Sequence, residues 1–290
     1  MTADHPNTQG SQVRPGLQSR QRPEGLEWSE DLGTPPYPHP ESPSFTAVSP
    51  YYDVLMRDVP YRGWVRYLHQ LFEVRGAKPH RILDLACGTG TICEMLAKQG
   101  YDVVGVDLSE GMIAEARRKA EEQLFQLTYH VQDASCMEVP GPPFDLCVSL
   151  FDSLNYITVP AALQAAVHRT FDHLRPGGLF IFDVNSAFAL ENGFFDQENL
   201  KSDDRLRYVW RSEYDPPSRL CHVHMRFFLR SRDDVDEEFR EVHIQFAYGE
   251  TELNAMLAQA GFTDIQTYHA YTLSPVRPTS DRIFFIAAKP

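Results

Sequence analysis

Long apolar runs are missing from this sequence. No stretch approaches the eighteen or more uncharged apolar residues that a membrane-spanning helix needs, so no membrane partner is expected. A basic surplus is missing too: 27 Lys and Arg stand against 40 Asp and Glu, a formal net charge of -13. Such a field repels phosphates unless a local basic patch overrides it, and here Arg and Lys are interspersed with acids throughout. Nucleic acid is therefore not an expected partner. Cysteine is sparse. Cys87, Cys93, Cys136, Cys147 and Cys221 show neither paired nor metal-type spacing, and the N-terminus carries no signal-peptide pattern. These features predict reduced thiols in a cytoplasmic protein. His222 and His224 stand two apart with no third ligand in view, so no metal site is expected.

What is present is enough chain, 290 residues, for one large domain with an insertion. Residues 1–45 hold eight of the 21 prolines with few apolar residues, and read as a disordered tail. Over 46–78, apolar and aromatic residues recur at helical spacing with a break at Pro60, which predicts two short helices. From 79 to 185, short apolar runs (RILDLA, DVVGVDL, LTYHVQD, FDLCVSL, GLFIFDV) alternate with helical segments, and RPGG reads as a turn before the last of them. That alternation implies right-handed crossovers and a doubly wound parallel sheet, an α/β fold. Over 186–249 the period changes to two in RLRYVWRSEY, CHVHMRFFLR and EEFREVHIQFAY, which predicts an inserted antiparallel sheet of three strands. A helix and two strands, 250–290, return to the core.

In RILDLACGTG a strand carrying Asp84 gives way to Gly88 and Gly90 and then to a helix. Ligands of open parallel sheets bind beyond the carboxyl ends of the strands, where glycine lets the backbone approach closely. Asp107 ends the next strand, 17 residues past Gly90, where a carboxylate can accept both hydrogen bonds of a ribose diol. A dinucleotide site would have a third glycine where Cys93 stands, and Asp84 would receive a pyrophosphate poorly. A carboxylate beside the turn suits an ammonium group. An amino acid joined to a nucleoside has this pattern, and S-adenosylmethionine fits it.

ILDLACGTG, VVGVDLSEGM, the acidic QDA, FDLCVSLFDSLNYI and LRPGGLFIFDV resemble, in order and spacing, the motifs of class I S-adenosylmethionine-dependent methyltransferases. Within the class the chain is most similar to small-molecule N-methyltransferases of the glycine and amino-sugar type and to uncharacterised bacterial relatives. The resemblance implies a Rossmann-like sheet of seven strands in the order 3-2-1-4-5-7-6, the last antiparallel, with the antiparallel insertion after strand five. It implies further that Gly88, Ala86 and Gly90 admit the methionine part, with Ala86 standing where the family often has glycine. Asp84 would orient the loop and the amine, Asp107 hold the ribose, Leu108 and Met112 sandwich the adenine, and Asp133, beside Ala134, accept from its amino group. Leu150 and Phe151 would meet the methionine end, with Tyr52 and Trp64 closing over it. For Met112, Tyr52 and Trp64, plain core packing remains the alternative reading.

Methyl transfer from a sulfonium needs alignment more than a strong base, and holding the partners at attack distance supplies roughly 7 to 11 kcal/mol of the barrier. The acceptor side needs only a modest proton acceptor. Asp152, Asn155 and Tyr156 are the candidates after the fourth strand, followed by Glu213, His222 and His224 on the insertion. The nucleobase-gripping box of amino-methyltransferases is replaced by LFDSLNY, and Leu146, not proline, precedes Cys147. The expected function is methylation of a small-molecule N- or O-nucleophile. The alternatives are S-adenosylmethionine binding without catalysis and methylation of a protein partner. Monomer and homodimer both stay open.

Overall fold

The computed structural model describes residues 44–202, 204–230 and 236–290. The expected tail therefore lies outside the described residues up to position 43. A short helix α1 (Tyr52–Leu55) is followed by α2 (Tyr61–Arg75), which starts after Pro60 and stops at Gly76, whose left-handed φ of 60° caps it. The alternating core then runs β1 (Arg81–Leu85), α3 (Thr91–Ala97), β2 (Asp102–Asp107), α4 (Glu110–Glu122), β3 (Thr128–Val131), β4 (Phe144–Ser149), α5 (Pro160–His173) and β5 (Leu174–Asn185). Ser109 begins α4 as expected, its hydroxyl accepting the Met112 amide at 3.2 Å. After a short α6 (Ala187–Glu191) come β6 (Gln197–Glu198), β7 (Leu206–Asp215), β8 (Leu220–Arg230) and β9 (Asp236–Phe246). The chain closes with α7 (Glu250–Ala260), β10 (Thr263–His269) and β11 (Arg282–Ala288).

The main sheet has the order β3-β2-β1-β4-β5-β11-β10, parallel from β3 to β5, with β11 antiparallel to both its neighbours. This is the expected 3-2-1-4-5-7-6 arrangement. Alternate residues of β1 feed opposite faces: Leu83 and Leu85 pack with α5 and α7, and Ile82 packs with α2, α3 and α4. Two details differ from the sequence expectations. The insertion has four strands, because Gln197–Glu198 pairs with Trp210 and Val209; two residues are too short to show a period of two. Arg175 to Gly178, read as a turn, belong to β5, since Gly177 at φ 75° donates its amide to the Lys289 carbonyl at 2.8 Å and keeps the segment in the sheet. Among the described residues, no helix is long and apolar enough to cross a membrane.

The second sheet buries Cys221, Val223, Met225 and Phe227 on one face, together with Trp210, Val48 and Met56. A polar seam joins this face to the carboxyl end of the main sheet. Asn155 Nδ2 donates to the carbonyls of Asn185 (3.1 Å) and Phe246 (3.0 Å), and Asn185 Nδ2 donates to Gln245 at 3.0 Å. Beside the seam, Arg282 is buried between Asp152 (2.7 Å) and Asp183. Removing one member of a buried ion cluster leaves uncompensated charge at a cost of about 3–5 kcal/mol. Arg282→Met strands two carboxylates and is expected to lower unfolding free energy by about that amount in urea titration; a loss under ~1 kcal/mol would show that the cluster is dispensable.

Candidate functional site

The turn after β1 runs through three left-handed residues, Ala86 (φ 59°), Gly88 (φ 54°) and Gly90 (φ 76°). Ala86 occupies a conformation in which an L-residue is strained by roughly 1–2 kcal/mol, which is the physical reason for a glycine preference there. A Cβ on Gly90 would run into the Tyr129 ring, 2.9 Å from its Cζ, whereas one on Gly88 would meet no heavy atom within 4 Å. Gly88 thus borders open space at the carboxyl end of the sheet. Asp107 fixes the turn by accepting the Gly88 amide at Oδ2 and the Ser109 amide at Oδ1, each at 2.8 Å. Burial raises the Asp107 carboxyl, and the amides of Ser109, Gly88 and Leu108 oppose that shift. Beneath the turn Asp84 is buried, and burial pushes it up to about 7, against the Cys93 thiol that donates to it at 3.1 Å.

Around this turn the structure distributes the remaining expected residues unevenly. Leu108 projects from the end of β2 at 64 % exposure, while Met112, one helical turn on, is buried. Asp133 is exposed and accepts the Ser135 amide at 2.7 Å; Ala134 packs partly buried against the core. Leu150 is buried, and Phe151 meets Trp64 with ring centroids 5.1 Å apart. Trp64 also stacks on Tyr271 at 5.6 Å. Tyr52 is desolvated, which raises its phenol well above the ordinary value, and it feels the charges of both Asp152 and Asp107. It therefore stands between the turn and the segment after β4.

That segment starts with Phe151 and Asp152 at φ 68° and 52°, both amides donating to the Asp183 carboxylate (2.8 and 3.0 Å). Asp152 is held in a buried ion pair: Oδ1 accepts from Arg282 and Oδ2 from Gln245, each at 2.7 Å. Asn155 is committed to the seam, since its Oδ1 also accepts the Asn185 amide at 3.0 Å. Tyr156 is different. It is half-buried, and its hydroxyl meets His243 Nδ1 at 3.1 Å.

Glu213, His222 and His224 do not join this cluster. In the register of β7 and β8, Glu213 lies opposite His222, and His222 and His224 alternate with the buried Cys221 and Val223. They face away from the seam, a correction to their candidacy that follows from the two-residue period of the strand. The inward face instead carries Glu241, His243 and Gln245 of β9, opposite Met225, Val223 and Cys221. Sequence reasoning passed over these three, although EVHIQF displays them at alternate positions. It also missed Asp53, which accepts from Thr89 in the glycine turn at 2.5 Å and pairs with Lys119 at 2.5 Å. Asp183 and Arg282 were hidden inside strands that otherwise read as core.

Residues 44–51 cross over this cluster. Phe45 packs its ring on His243 (4.4 Å), Tyr156 (5.1 Å) and Tyr52 (5.9 Å). Its carbonyl accepts from Ser109 at 3.3 Å, next to Asp107. The amides of Ala47, Val48 and Phe45 all donate to the Glu241 carboxylate (2.7, 2.9 and 3.2 Å). Turn, aromatic cover and polar cluster thus adjoin one another at the carboxyl end of the sheet.

Because Asn155 satisfies three backbone groups, Asn155→Ala leaves buried partners unmade and is expected to reduce stability by about 1–3 kcal/mol, read by chemical unfolding. Wild-type stability in that variant would mean that the seam closes by other contacts.

Comparison with known proteins agrees with this geometry. A model described as a methyltransferase domain matches residues 82–178, from β1 into β5. A protein of Geobacillus sp. (strain WCH70) named as a methyltransferase is 36% identical over 245 residues, covering 82% of this chain and 97% of its own length. The dTDP-3-amino-3,4,6-trideoxy-alpha-D-glucopyranose N,N-dimethyltransferase of Streptomyces venezuelae is 28% identical over 211 residues, 71% of this chain and 85% of that one. Among solved structures, an S-adenosylmethionine-dependent methyltransferase from Clostridium acetobutylicum ATCC 824 superposes with a TM-score of 0.73 at 28% identity, over 83% of this chain and 97% of that one. By sequence, fold and the form of its glycine turn, the chain belongs to the S-adenosylmethionine-dependent methyltransferases.

Proposed function

We propose that this enzyme methylates a small molecule, with an amine as the acceptor group, in the cleft between the glycine turn and the inward face of the second sheet. The observation that carries the reading is the cover over the polar cluster. Phe45 packs over Tyr156 and His243, and Glu241 holds the backbone of 45–48 beside them, a cover that suits a compact acceptor better than a folded partner surface or a duplex. The formal charge of -13 disfavours nucleic acid further. The Streptomyces venezuelae relative acts, by its name, on an amino sugar, which supports nitrogen as the nucleophile.

The residues present fit the methyl donor. S-adenosylmethionine, when bound, supplies an electrophilic methyl group on a positively charged sulfur. Gly88 leaves the space its methionine part requires, and Asp84 and Thr89 keep the turn in shape from below and from α1. The Asp107 oxygens, each already accepting one amide, keep lone pairs for a ribose diol. Leu108 offers an exposed apolar side chain next to that carboxylate, a surface on which an adenine ring can lie, with Met112 behind it and the exposed Asp133 within the next loop as an acceptor for its amino group. Leu150, Phe151, Trp64 and Tyr52 form the apolar end toward the acceptor. Catalysis then rests on alignment and on exclusion of water by the aromatic cover.

Two measurements test the reading. Transfer of labelled methyl groups into a cell extract is expected to load the metabolite fraction; label in protein or RNA instead would sink the small-molecule assignment. A ribose diol loses charge-assisted hydrogen bonds worth about 1.5–3 kcal/mol each when its carboxylate is removed, so Asp107→Ala should weaken S-adenosylmethionine by about tenfold or more in calorimetry. Unchanged affinity would take Asp107 out of the site.

A further inference from the structure

We infer that Tyr156, His243 and Glu241 form the proton-accepting chain for the amine, and that the covering segment 45–48 completes it. This rests on the small-amine reading above. Asp152 is a poor base because taking up a proton would break its buried ion pair with the Arg282 guanidinium. Among the described residues, a chain of titratable groups leads away from the cleft from the half-buried Tyr156 hydroxyl. It passes to His243 Nδ1 at 3.1 Å, and from His243 Nε2 to Glu241 Oε2 at 2.7 Å.

The chemistry of the three groups gives the chain a direction. An ionised carboxylate only accepts, so Nε2 carries the imidazole proton and Nδ1 is left as an acceptor. The single phenol proton of Tyr156 must then point at His243, and with the Gln245 amide donating to its oxygen, one lone pair is left for the cleft. A phenol so placed can take a proton from an ammonium group while passing its own inward. Glu241 stays ionised because His243 and the amides of Val48 and Ala47 outweigh the burial that would raise it. The same amides tie the roof to the end of the chain. Closure of 45–48 and stabilisation of an imidazolium are thereby one event. Tyr156 faces Asp152, Glu241 and Cys221 from the surrounding elements, and Tyr52 from α1.

The step balances. One N–H bond of the acceptor ammonium breaks and its proton bonds to Tyr156 Oη, while the phenol proton moves to His243 Nδ1, giving an imidazolium paired with Glu241. The freed nitrogen lone pair forms the N–C bond as the S–C bond breaks, with that electron pair left on sulfur. The methylated product carries the positive charge that the methyl group brought. The stored proton leaves His243 when the roof opens for product release.

Two readouts test the chain. In the free wild-type protein, two-bond proton–nitrogen correlations at pH 8 should find His243 protonated at Nε2 and bare at Nδ1; a proton at Nδ1 overturns the proposal. Single turnovers are then measured with whichever amine, from a panel of amino sugars and amino acids, the wild-type enzyme methylates fastest. His243→Phe and Glu241→Gln should each slow methylation by about tenfold or more at pH 7, general-base removal being worth that much or more, and by less than about threefold above the amine's own pKa, where it arrives neutral. An equal loss at both pH values in both variants would mark a purely structural role, and wild-type rates at pH 7 would exclude any role. If the wild-type enzyme methylates no amine, the small-amine reading falls and the chain's role with it. Product formed with unaltered pH profiles in the variants overturns the chain alone.

Discussion

The guanidinium of Arg282, buried between two carboxylates, is the constraint on which the arrangement of the cleft depends. It stands on β11, takes Asp183 from the adjacent β5, and reaches Asp152 in the loop beyond β4. Burial raises Asp152, and Arg282 opposes that shift. Such a cluster is a weak source of net stability, because desolvation consumes most of its Coulombic gain. Its effect is geometric. With Asp183 also holding the amides of Phe151 and Asp152, the loop must turn through two left-handed residues, and this turn aims the Phe151 ring at Trp64 and sends Tyr156 under the second sheet.

The second sheet is positioned from the same point. Gln245 donates to Asp152, Asn185 donates to Gln245, and Asn155 bridges Asn185 and Phe246. An apolar contact could tolerate sliding of one sheet over the other. A chain of buried amides, each with specific partners, cannot slip without leaving a group unpaired. His243 is two residues from Gln245 on the same strand face, so the register that satisfies the seam also brings the imidazole to Tyr156.

The parts legible in the sequence were those set by local periodicity. Alternation of apolar runs with helical segments gave the parallel core, and the glycines, with Asp84 and Asp107 at strand ends, marked the turn. What stayed hidden depends on pairs far apart in the chain. Arg282 meets Asp152 across 130 positions, and Glu241 meets the Ala47 amide across 194. Period two shows that Glu241, His243 and Gln245 share a face, but not that this face turns inward, which is why His222 and His224 drew attention on the wrong side. Asn155 looked like a functional amide because nothing local shows that its donors and acceptor are taken by backbone. The two-residue β6 left no pattern to read.

The charge logic of the cleft runs the same way throughout. Asp84, Asp107 and Asp152 each titrate above the ordinary carboxylate range, with burial as the leading cause. Asp152 has Arg282 beside it, but Asp84 and Asp107 are buried without a nearby cation and are held at a cost that a cationic ligand relieves. In the proposed reading the ligand brings both an ammonium and a sulfonium charge, so binding lowers the free energy of groups the fold leaves unfavourable. An acceptor arriving as an ammonium would add a third positive charge beside them. In the proposed chain, a neutral phenol backed by His243 and Glu241 would take that charge toward a carboxylate that three amides hold, away from the sulfur. Separating the acidic face that holds the donor from the chain that takes the proton lets one cleft attract cations and still deliver a neutral nucleophile.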